Sequence, residues 1–145
     1  MEQKKLNNEG FSLIELIVVI AIMAILVGAM APMVTKYIEK SRVSADAQAL
    51  GAVYTAVQTA IADPEITPPA SGSGELSALT GDFKTEVEDT LGGTGSISKA
   101  YAALKSQKTK DASGGHGSII VTINGANVSV TAGNISVDAT GSHIS

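Results

Sequence analysis

A continuous apolar run at residues 11–31 constrains this chain more than any other feature. It reads FSLIELIVVIAIMAILVGAMA, interrupted only by Ser12 and Glu15. A helix rises about 1.5 Å per residue, so a run of this length is long enough to cross a bilayer. A secretory signal peptide has a shorter apolar core, of about 7–15 residues, that ends at a cleavage site. Because the helical pattern continues beyond residue 31, we predict a membrane helix that is retained.

The next segment, residues 32–63, changes to an amphipathic pattern without a turn signal. Its larger apolar side chains recur at alternating spacings of four and three residues, which indicates one stripe along a helix. Most of its charged side chains lie off this stripe. Asp63-Pro64 ends the pattern, because the residue before a proline is driven out of the α region. The stripe consists of Val43, Ala47, Leu50, Tyr54, Val57 and Ile61.

These two segments are compatible with two separate helices, one in the membrane and one soluble. No loop-like residues separate them, so we favour a single continuous helix of about 50 residues. Pro32 removes one backbone donor from such a helix, and we predict that the helix bends near it.

Residues 64–145 form the predicted globular head. Residues 64–75 are rich in Pro, Gly and Ser, which indicates a loop. Residues 76–91 predict a short helix because apolar side chains recur at every fourth position, whereas residues 96–105 fit a helix or a strand. Further on, two apolar segments flank Asn124-Gly125, which is the strongest short signal for a β-hairpin.

The C-terminal strands also predict their own pairing. Two-residue turns at Asn124-Gly125 and Gly133-Asn134 place apolar residues on one face of three strands, and a slip by one residue would turn that face outward. The expected fold class is therefore α+β, with one long N-terminal helix packed on a small C-terminal antiparallel sheet of at least three strands. The expected pairs are Ile123–Ala126, Val121–Val128, Ile119–Val130, Ala132–Ile135, Val130–Val137 and Val128–Ala139.

Glu15 places a carboxylate in the fifth position of the apolar run. At mid-membrane such a charge costs about 2.5–3.5 kcal/mol, and the cost is smaller near one end. The run contains no Lys or Arg that would pair with it. Two interpretations remain open from the residues alone. Glu15 reaches water at the interface, or it pairs with an external positive charge, such as the amino terminus of another subunit cut just before Phe11.

The order of residues at the N-terminus resembles the class III leader of type IV prepilins and pseudopilins. It runs from Lys4-Lys5 through Gly10-Phe11-Ser12-Leu13-Ile14-Glu15 and the apolar run to Pro32. Leaders of that family are short and basic, end in Gly and precede a mature chain with Phe first and Glu fifth. The resemblance covers about the first 50 residues, and beyond them only the architecture is similar.

The resemblance implies a type IV pilin-like organisation of the whole chain. Residues 1–10 would be a leader peptide, residues 11–31 the transmembrane and polymerisation half of the helix, residues 32–63 its amphipathic half, and residues 64–145 the head. A membrane prepilin peptidase would cut after Gly10 and N-methylate the new amine of Phe11. Glu15 of an incoming subunit would pair with the Phe11 amine of a neighbour. Pro32 is similar in place to the proline near which family helices bend or locally melt on assembly.

The resemblance also implies partners and a location. The partners are other copies of the chain, prepilin peptidase, the pilus assembly platform with its ATPase, and membrane lipid before assembly. The chain would be a single-pass protein of the cytoplasmic membrane before assembly and part of an extracellular pilus filament afterwards.

Composition argues against several other kinds of function. The chain has no cysteine, which excludes disulfides, thiolate metal ligands and thiol nucleophiles. His116 and His143 stand alone in Gly/Ser contexts, so we predict no metal site and no cofactor. The net charge of −4 offers no general attraction to nucleic acid. No catalytic triad or carboxylate dyad is recognisable, and we predict that the chain is not an enzyme.

Three structural roles remain as alternatives. The leading one is a pilin of a type IV pilus. The nearest alternative is a pseudopilin of a type II secretion or competence system, although the acidic calcium loop or cysteine pair often found in those members has no counterpart here. A non-polymerising single-span surface protein is the third role, and it would need neither Gly10-Phe11 nor Glu15.

Overall fold

The computed structural model describes residues 10–110 and 117–145. The chain divides into two compact units, residues 1–37 and 38–145. One helix, α1 (Leu13–Ala62), contributes to both units and contains Pro32 in its interior. It therefore confirms the single helix over two separate ones, and it ends directly before Asp63-Pro64. The Asp63 carboxylate accepts the backbone N–H of Glu65 at 2.8 Å, which supports the turn out of the helix.

The head contains five strands and two further helices. The strands are β1 (Gly72–Glu75), β2 (Ile119–Asn124), β3 (Asn127–Ala132), β4 (Ile135–Asp138) and β5 (Gly141–Ile144). They form one antiparallel sheet in the order β1-β2-β3-β4-β5. The helices are α2 (Gly81–Thr90) and α3 (Ser96–Ala103), and single 3₁₀ turns occur at Leu76–Ala78 and Gln107–Thr109. The predicted α+β class is confirmed.

The core of the head lies between α1 and the apolar face of the sheet. Within α1, the predicted stripe contributes Leu50 and Val57 as fully buried residues, while its other members are half-buried at the flanks. The buried face of α1 is rotated around the helix relative to the predicted stripe, and its centre includes smaller side chains that are not part of that stripe. The buried face of α1 consists of Asp46, Leu50, Val53, Ala56, Val57 and Ala60.

The short elements complete this core. In α2, Phe83 and Val87 are buried and come from the predicted four-residue repeat. Ile97 of α3 is buried too, so the segment that fitted helix or strand is a helix. Its preceding residue, Gly95, has φ +79°, a conformation that a residue with a side chain rarely adopts.

The predicted register of the first hairpin is wrong, because the two-residue turn lies one residue further along the chain than predicted. The structure pairs Ile123 with Val128 and Val121 with Val130, and its turn residues are Gly125-Ala126. Gly125 has φ +63°, and no other residue type has a positive φ in the described segments. A turn at Asn124-Gly125 of the favoured I′ type would force Asn124 into that region, whereas Gly at the first position suits a type II′ turn. Each residue of β2 therefore pairs with a residue of β3 two positions later than predicted. Because side chains alternate between the two faces, a shift of two residues leaves the apolar side chains on the same face of the sheet.

The second hairpin confirms the prediction near its turn and departs from it further on. Val130 pairs with Val137 and Ala132 with Ile135, as expected. Ala139 does not pair with Val128, because the chain turns after Asp138 into β5. This turn is fixed by the Asp138 carboxylate, which accepts the backbone N–H of Thr140 at 2.7 Å.

The prediction that residues 64–75 form a loop is wrong at the end of this segment, where strand β1 begins. Gly72 pairs with Ile123 and Glu75 with Ile120. A Gly-Ser-Gly-Glu sequence has a low intrinsic preference for a strand, so its pairing depends on the adjacent edge of β2 rather than on its own residues.

Candidate functional site

The N-terminal end of α1 carries the residues that the sequence singles out. Gly10 and Phe11 precede the helix, which begins at Leu13. The Phe11 side chain is 92% exposed, and no atom lies within 4 Å of the position of a Cβ on Gly10. The peptide bond between Gly10 and Phe11 is therefore in open, non-helical chain. The predicted Lys4-Lys5 and the rest of the leader lie outside the described residues.

Glu15 caps its own helix. Its carboxylate accepts the backbone N–H of Ser12 at 2.8 Å, and the Ser12 carbonyl accepts the N–H of Leu16 at 3.2 Å. Ser12 is thus the N-cap and Glu15 the third helical residue, and the bond from the Ser12 N–H to Glu15 is one of the two bonds of a capping box. The S-x-x-E order is the sequence signature of this cap, and an argument from charge alone passes over it. A negative charge here also interacts favourably with the positive end of the helix dipole.

Phe11 and Glu15 lie on one continuous patch of surface with apolar neighbours. Ile14, Val18 and Val19 line the same shallow depression. The only polar group that the described structure brings to the Glu15 carboxylate is the Ser12 amide. The carboxylate therefore has remaining acceptor capacity in an apolar setting, which is the condition under which a partner of opposite charge is most effective.

The apolar half of α1 is exposed along its whole length. In the described residues, every exposed large apolar side chain except Ile144 lies between Phe11 and Ile38. The most apolar 18-residue window of α1 has a mean hydropathy of 2.9, and none of it is buried. An apolar surface of this extent does not remain in water on a monomeric soluble protein. It is covered either by lipid or by other protein chains.

Pro32 lies inside this half of the helix. Proline lacks an N–H, so the carbonyl of Gly28 loses its usual helical donor. The Thr35 hydroxyl donates to the Pro32 carbonyl at 3.1 Å, a local bond that competes with the helical pattern. A bend at Pro32 remains a prediction.

The head contains a buried carboxylate that the sequence pattern placed off the packing stripe. Asp46 is fully buried and accepts three hydrogen bonds from one segment after α3. The donors are the backbone N–H of Lys105 at 2.9 Å, the backbone N–H of Ser106 at 2.8 Å and the Thr109 hydroxyl at 2.8 Å. Burial raises the pKa of Asp46, and the hydrogen bonds from Ser106, Lys105 and Thr109 outweigh burial, so that its pKa lies below the usual value.

Glu39, two turns before Asp46 on α1, contacts the same segment after α3. Its carboxylate accepts the backbone N–H of Gln107 at 2.5 Å. Residues 105–109 are thus tied to α1 by two carboxylates seven positions apart, which lie on one side of a helix. Sequence reasoning missed this contact, although the spacing of Glu39 and Asp46 was available as a signal.

His143 and Lys108 both have hydrogen-bond partners near the C-terminal strands. His143 lies 3.5 Å from Asp138 and shares Thr140 as a hydrogen-bond partner at the β4–β5 turn. Within residues 10–110 and 117–145, no cluster of three potential metal ligands occurs. The ammonium group of Lys108 donates to the Ser145 carbonyl at 2.7 Å. His116 lies outside the described segments.

Comparison with known proteins agrees with these features. Residues 5–31 match the family model of the prokaryotic N-terminal methylation motif. The chain is 36% identical over 89 residues to a type IV major fimbrial protein, FimA, of Dichelobacter nodosus. That similarity covers 61% of this chain and 57% of the length of the fimbrial protein. No solved structure matches the chain significantly. The chain is therefore similar to the methylation motif over residues 5–31 and to a type IV fimbrial protein over part of both chains.

Proposed function

We propose that this chain is the precursor of a structural subunit of a type IV pilus. A prepilin peptidase cuts it after Gly10 and N-methylates the amine of Phe11, and the mature chain polymerises through α1. One observation carries the proposal. The methylation motif at residues 5–31 coincides with the part of α1 whose apolar side chains are exposed all round.

The proposed cut is supported by the local structure around Gly10. Proteases bind their substrates in an extended form, and a helix hides its backbone in internal hydrogen bonds. Gly10 and Phe11 lie outside α1, and both are exposed. Cleavage there removes residues 1–10 and leaves the hydrogen bond between the Ser12 N–H and Glu15 intact. The new amine is then on Phe11, next to the N-cap.

The proposed polymerisation is supported by the exposed apolar surface of α1. Before assembly, residues 11–31 lie in the cytoplasmic membrane as a single span, where lipid covers them. After assembly, the corresponding helices of other copies replace the lipid. The head, residues 64–145, keeps the core that it shares with the amphipathic half of α1 and is displayed on the outside of the filament. The assembly platform and its ATPase move the subunit from one environment to the other.

Glu15 supplies the specificity of this contact. Its carboxylate pairs with the Phe11 amine of a neighbouring copy, so that neither charge remains alone in an apolar filament core. Removing one partner of such a buried pair strongly destabilises the assembly, because the other charge is left uncompensated. In the free subunit, the bond from the Ser12 N–H holds the carboxylate at the helix end until a neighbour arrives.

A single substitution separates this charge pairing from simple helix capping. In Glu15→Gln, the amide oxygen still accepts the Ser12 N–H, but the negative charge is gone. We expect the variant to be cut normally and to form few or no filaments, measured by the amount of sheared extracellular protein against the amount in the membrane. Glu15→Asp is the matched control, since it keeps the charge on a shorter side chain, and it should retain more filaments than Glu15→Gln.

The two possible results are distinct. Wild-type levels of filaments from Glu15→Gln would show that capping, and not charge pairing, is the role of Glu15. Absence of sheared filaments from the wild-type chain itself, with its peptidase and assembly machinery present, would overturn the proposed function.

A further inference from the structure

The sheet of the head has two exposed edges. Strands β1 and β5 are its first and last members, and all eight of their residues are exposed. Within the described residues, neither edge pairs with a further strand. An unpaired edge presents backbone N–H and C=O groups that a strand from another chain can bond. Since neighbouring strands in the sheet alternate in direction, β1 and β5 point the same way.

The β1 edge has a socket on the apolar side of the sheet. Gly72 lies opposite Ile123 and Gly74 opposite Val121, so both glycines face the side on which the core lies. A Cβ on either glycine would meet no atom within 4 Å. The missing side chains leave a cavity of about 340 Å³, whose apolar lining includes Val121, Ile123 and Leu79.

The β5 edge has a matching projection on the same side. Ile144 lies opposite the buried Ile135, so its side chain is on the apolar side of the sheet. It is 53% exposed, and among the described residues it is the one large apolar side chain outside the stretch from Phe11 to Ile38 with this degree of exposure.

The charges at the two edges select one orientation for a contact between copies. Glu75 ends β1, whereas the Lys108 ammonium lies at the end of β5, where it bonds the Ser145 carbonyl. Asp138 lies at the opposite end of β5, paired with Gly141. A parallel pairing of β5 with β1 brings Lys108 next to Glu75. An antiparallel pairing would bring Asp138 there instead, which sets two like charges together.

We propose that, in the filament, β5 of one copy pairs in parallel with β1 of the next and seats Ile144 over Gly74. The contact rests on the proposed function, because strands of four residues are too short to hold two copies together without the apolar helices. In this register Ser142 lies beside Gly72 and His143 beside Ser73. Parallel pairing follows from copies that share one orientation, and a contact between two different edges continues from copy to copy without closing, as a filament requires.

Wild-type filaments provide the first test. A carbodiimide joins a carboxylate directly to an amine with no spacer. Within one copy, Glu75 lies on the β1 edge and the Lys108 ammonium lies near the β5 edge. Four strand spacings of about 4.8 Å separate those edges, so the two residues of one copy are roughly 19 Å apart and cannot be joined. We expect a Glu75–Lys108 linked peptide from cross-linked filaments and none from detergent-solubilised subunits, both detected by mass spectrometry.

A cysteine pair provides the second test, on a chain that has no cysteine of its own. Ser73→Cys and His143→Cys lie on the outer side of the sheet, opposite Thr122 and Ser136. Oxidised filaments of the double variant should run as a ladder of subunit multiples without reductant. Each single variant should stay monomeric, whereas a dimer from Ser73→Cys alone would indicate β1 against β1 and refute the proposed contact.

The outcomes separate this contact from the function on which it rests. Filaments that give neither the Glu75–Lys108 link nor the ladder would overturn the edge contact and leave the pilin assignment standing. A double variant that forms no filaments leaves the decision to the wild-type cross-link. A wild-type chain that forms no filaments refutes both.

Discussion

Replacing Asp46 with asparagine tests the physical account of the head most sharply. The variant keeps the shape of the side chain and removes one acceptor oxygen together with the charge. In the folded head, Asp46 accepts the N–H of Lys105 through one oxygen and the donors of Ser106 and Thr109 through the other. An asparagine retains the second pair with its amide oxygen and turns its NH₂ group toward the N–H of Lys105.

The cost follows from these three bonds. A hydrogen bond to a charged group contributes about 1.5–3 kcal/mol, and one to a neutral group about 0.5–1.5 kcal/mol. We take the loss of the Lys105 bond at the low end of the charged range, because Lys105 is partly accessible to water. Together with the weakening of the other two bonds, the expected loss in the free energy of unfolding is about 3 kcal/mol. For a domain of about 100 residues, that loss lowers the melting temperature by roughly 12–24 °C. It is also a large fraction of the stability of a typical domain, about 5–15 kcal/mol.

The assay is thermal or urea unfolding of the full chain in detergent micelles, followed through the half-buried Tyr54 and Tyr101. Glu39→Gln is the matched control, since Glu39 is less buried and accepts one bond, and its loss should be under about 1 kcal/mol. The pH dependence provides a second reading. The pKa of Asp46 is lowered by folding, so its contribution is complete above the unfolded value of about 3.9 and is lost as the pH falls below it.

The same experiment can refute the reasoning. A free energy of unfolding for Asp46→Asn within 1 kcal/mol of wild type would show that the three bonds do not hold residues 105–109 against α1. An acid-induced loss of stability equal in the variant and the wild type would remove Asp46 from the account of pH dependence.

Three further predictions follow from single positions. Gly10→Leu should leave full-length precursor in the membrane, seen as an unshifted mass, and mature protein from this variant would exclude the assigned cut. Glu15→Ala should be processed as wild type but give fewer sheared filaments, and normal filament yield would count against charge pairing. Gly133→Ala should destabilise the head by more than about 2 kcal/mol, because a Cβ would lie 2.2 Å from the Lys108 carbonyl oxygen at φ +56°. Gly125→Ala is its control, with φ +63° and open space, and should cost only about 1 kcal/mol; equal losses in unfolding experiments would contradict the clash.

The long helix and the sheet are predictable because their signals are local. The apolar run, the four-and-three spacing and Asp63-Pro64 each act within a few turns of one helix, and the C-terminal end of α1 follows from them. The second hairpin is predictable for the same reason, since Gly133 takes the positive φ that its turn requires. The first hairpin shows the limit of such signals. Asn124-Gly125 and Gly125-Ala126 both supply a turn, and the choice depends on which residue bears the positive φ.

Other features depend on partners that are distant in the sequence. Strand β1 has almost no side-chain signal of its own and is fixed by β2, about 50 residues later. Asp46 appears to a periodicity argument as a charged residue off the stripe, and only the segment after α3 gives it the donors that make its burial favourable. At the candidate assembly site, the apolar run and Glu15 were recognisable from sequence. The capping role of Glu15 requires the position of the helix start, which sequence defines less sharply.

The central claim is that the chain is cut at Gly10 and polymerises through the exposed half of α1. The measurement that tests it most directly is the intact mass and N-terminal sequence of this protein in filaments sheared from cells. We predict a chain that begins at Phe11 and carries one added methyl group. A chain that begins at Met1, or one cleaved near Ala31, would contradict the account and indicate a membrane anchor or a secreted protein instead.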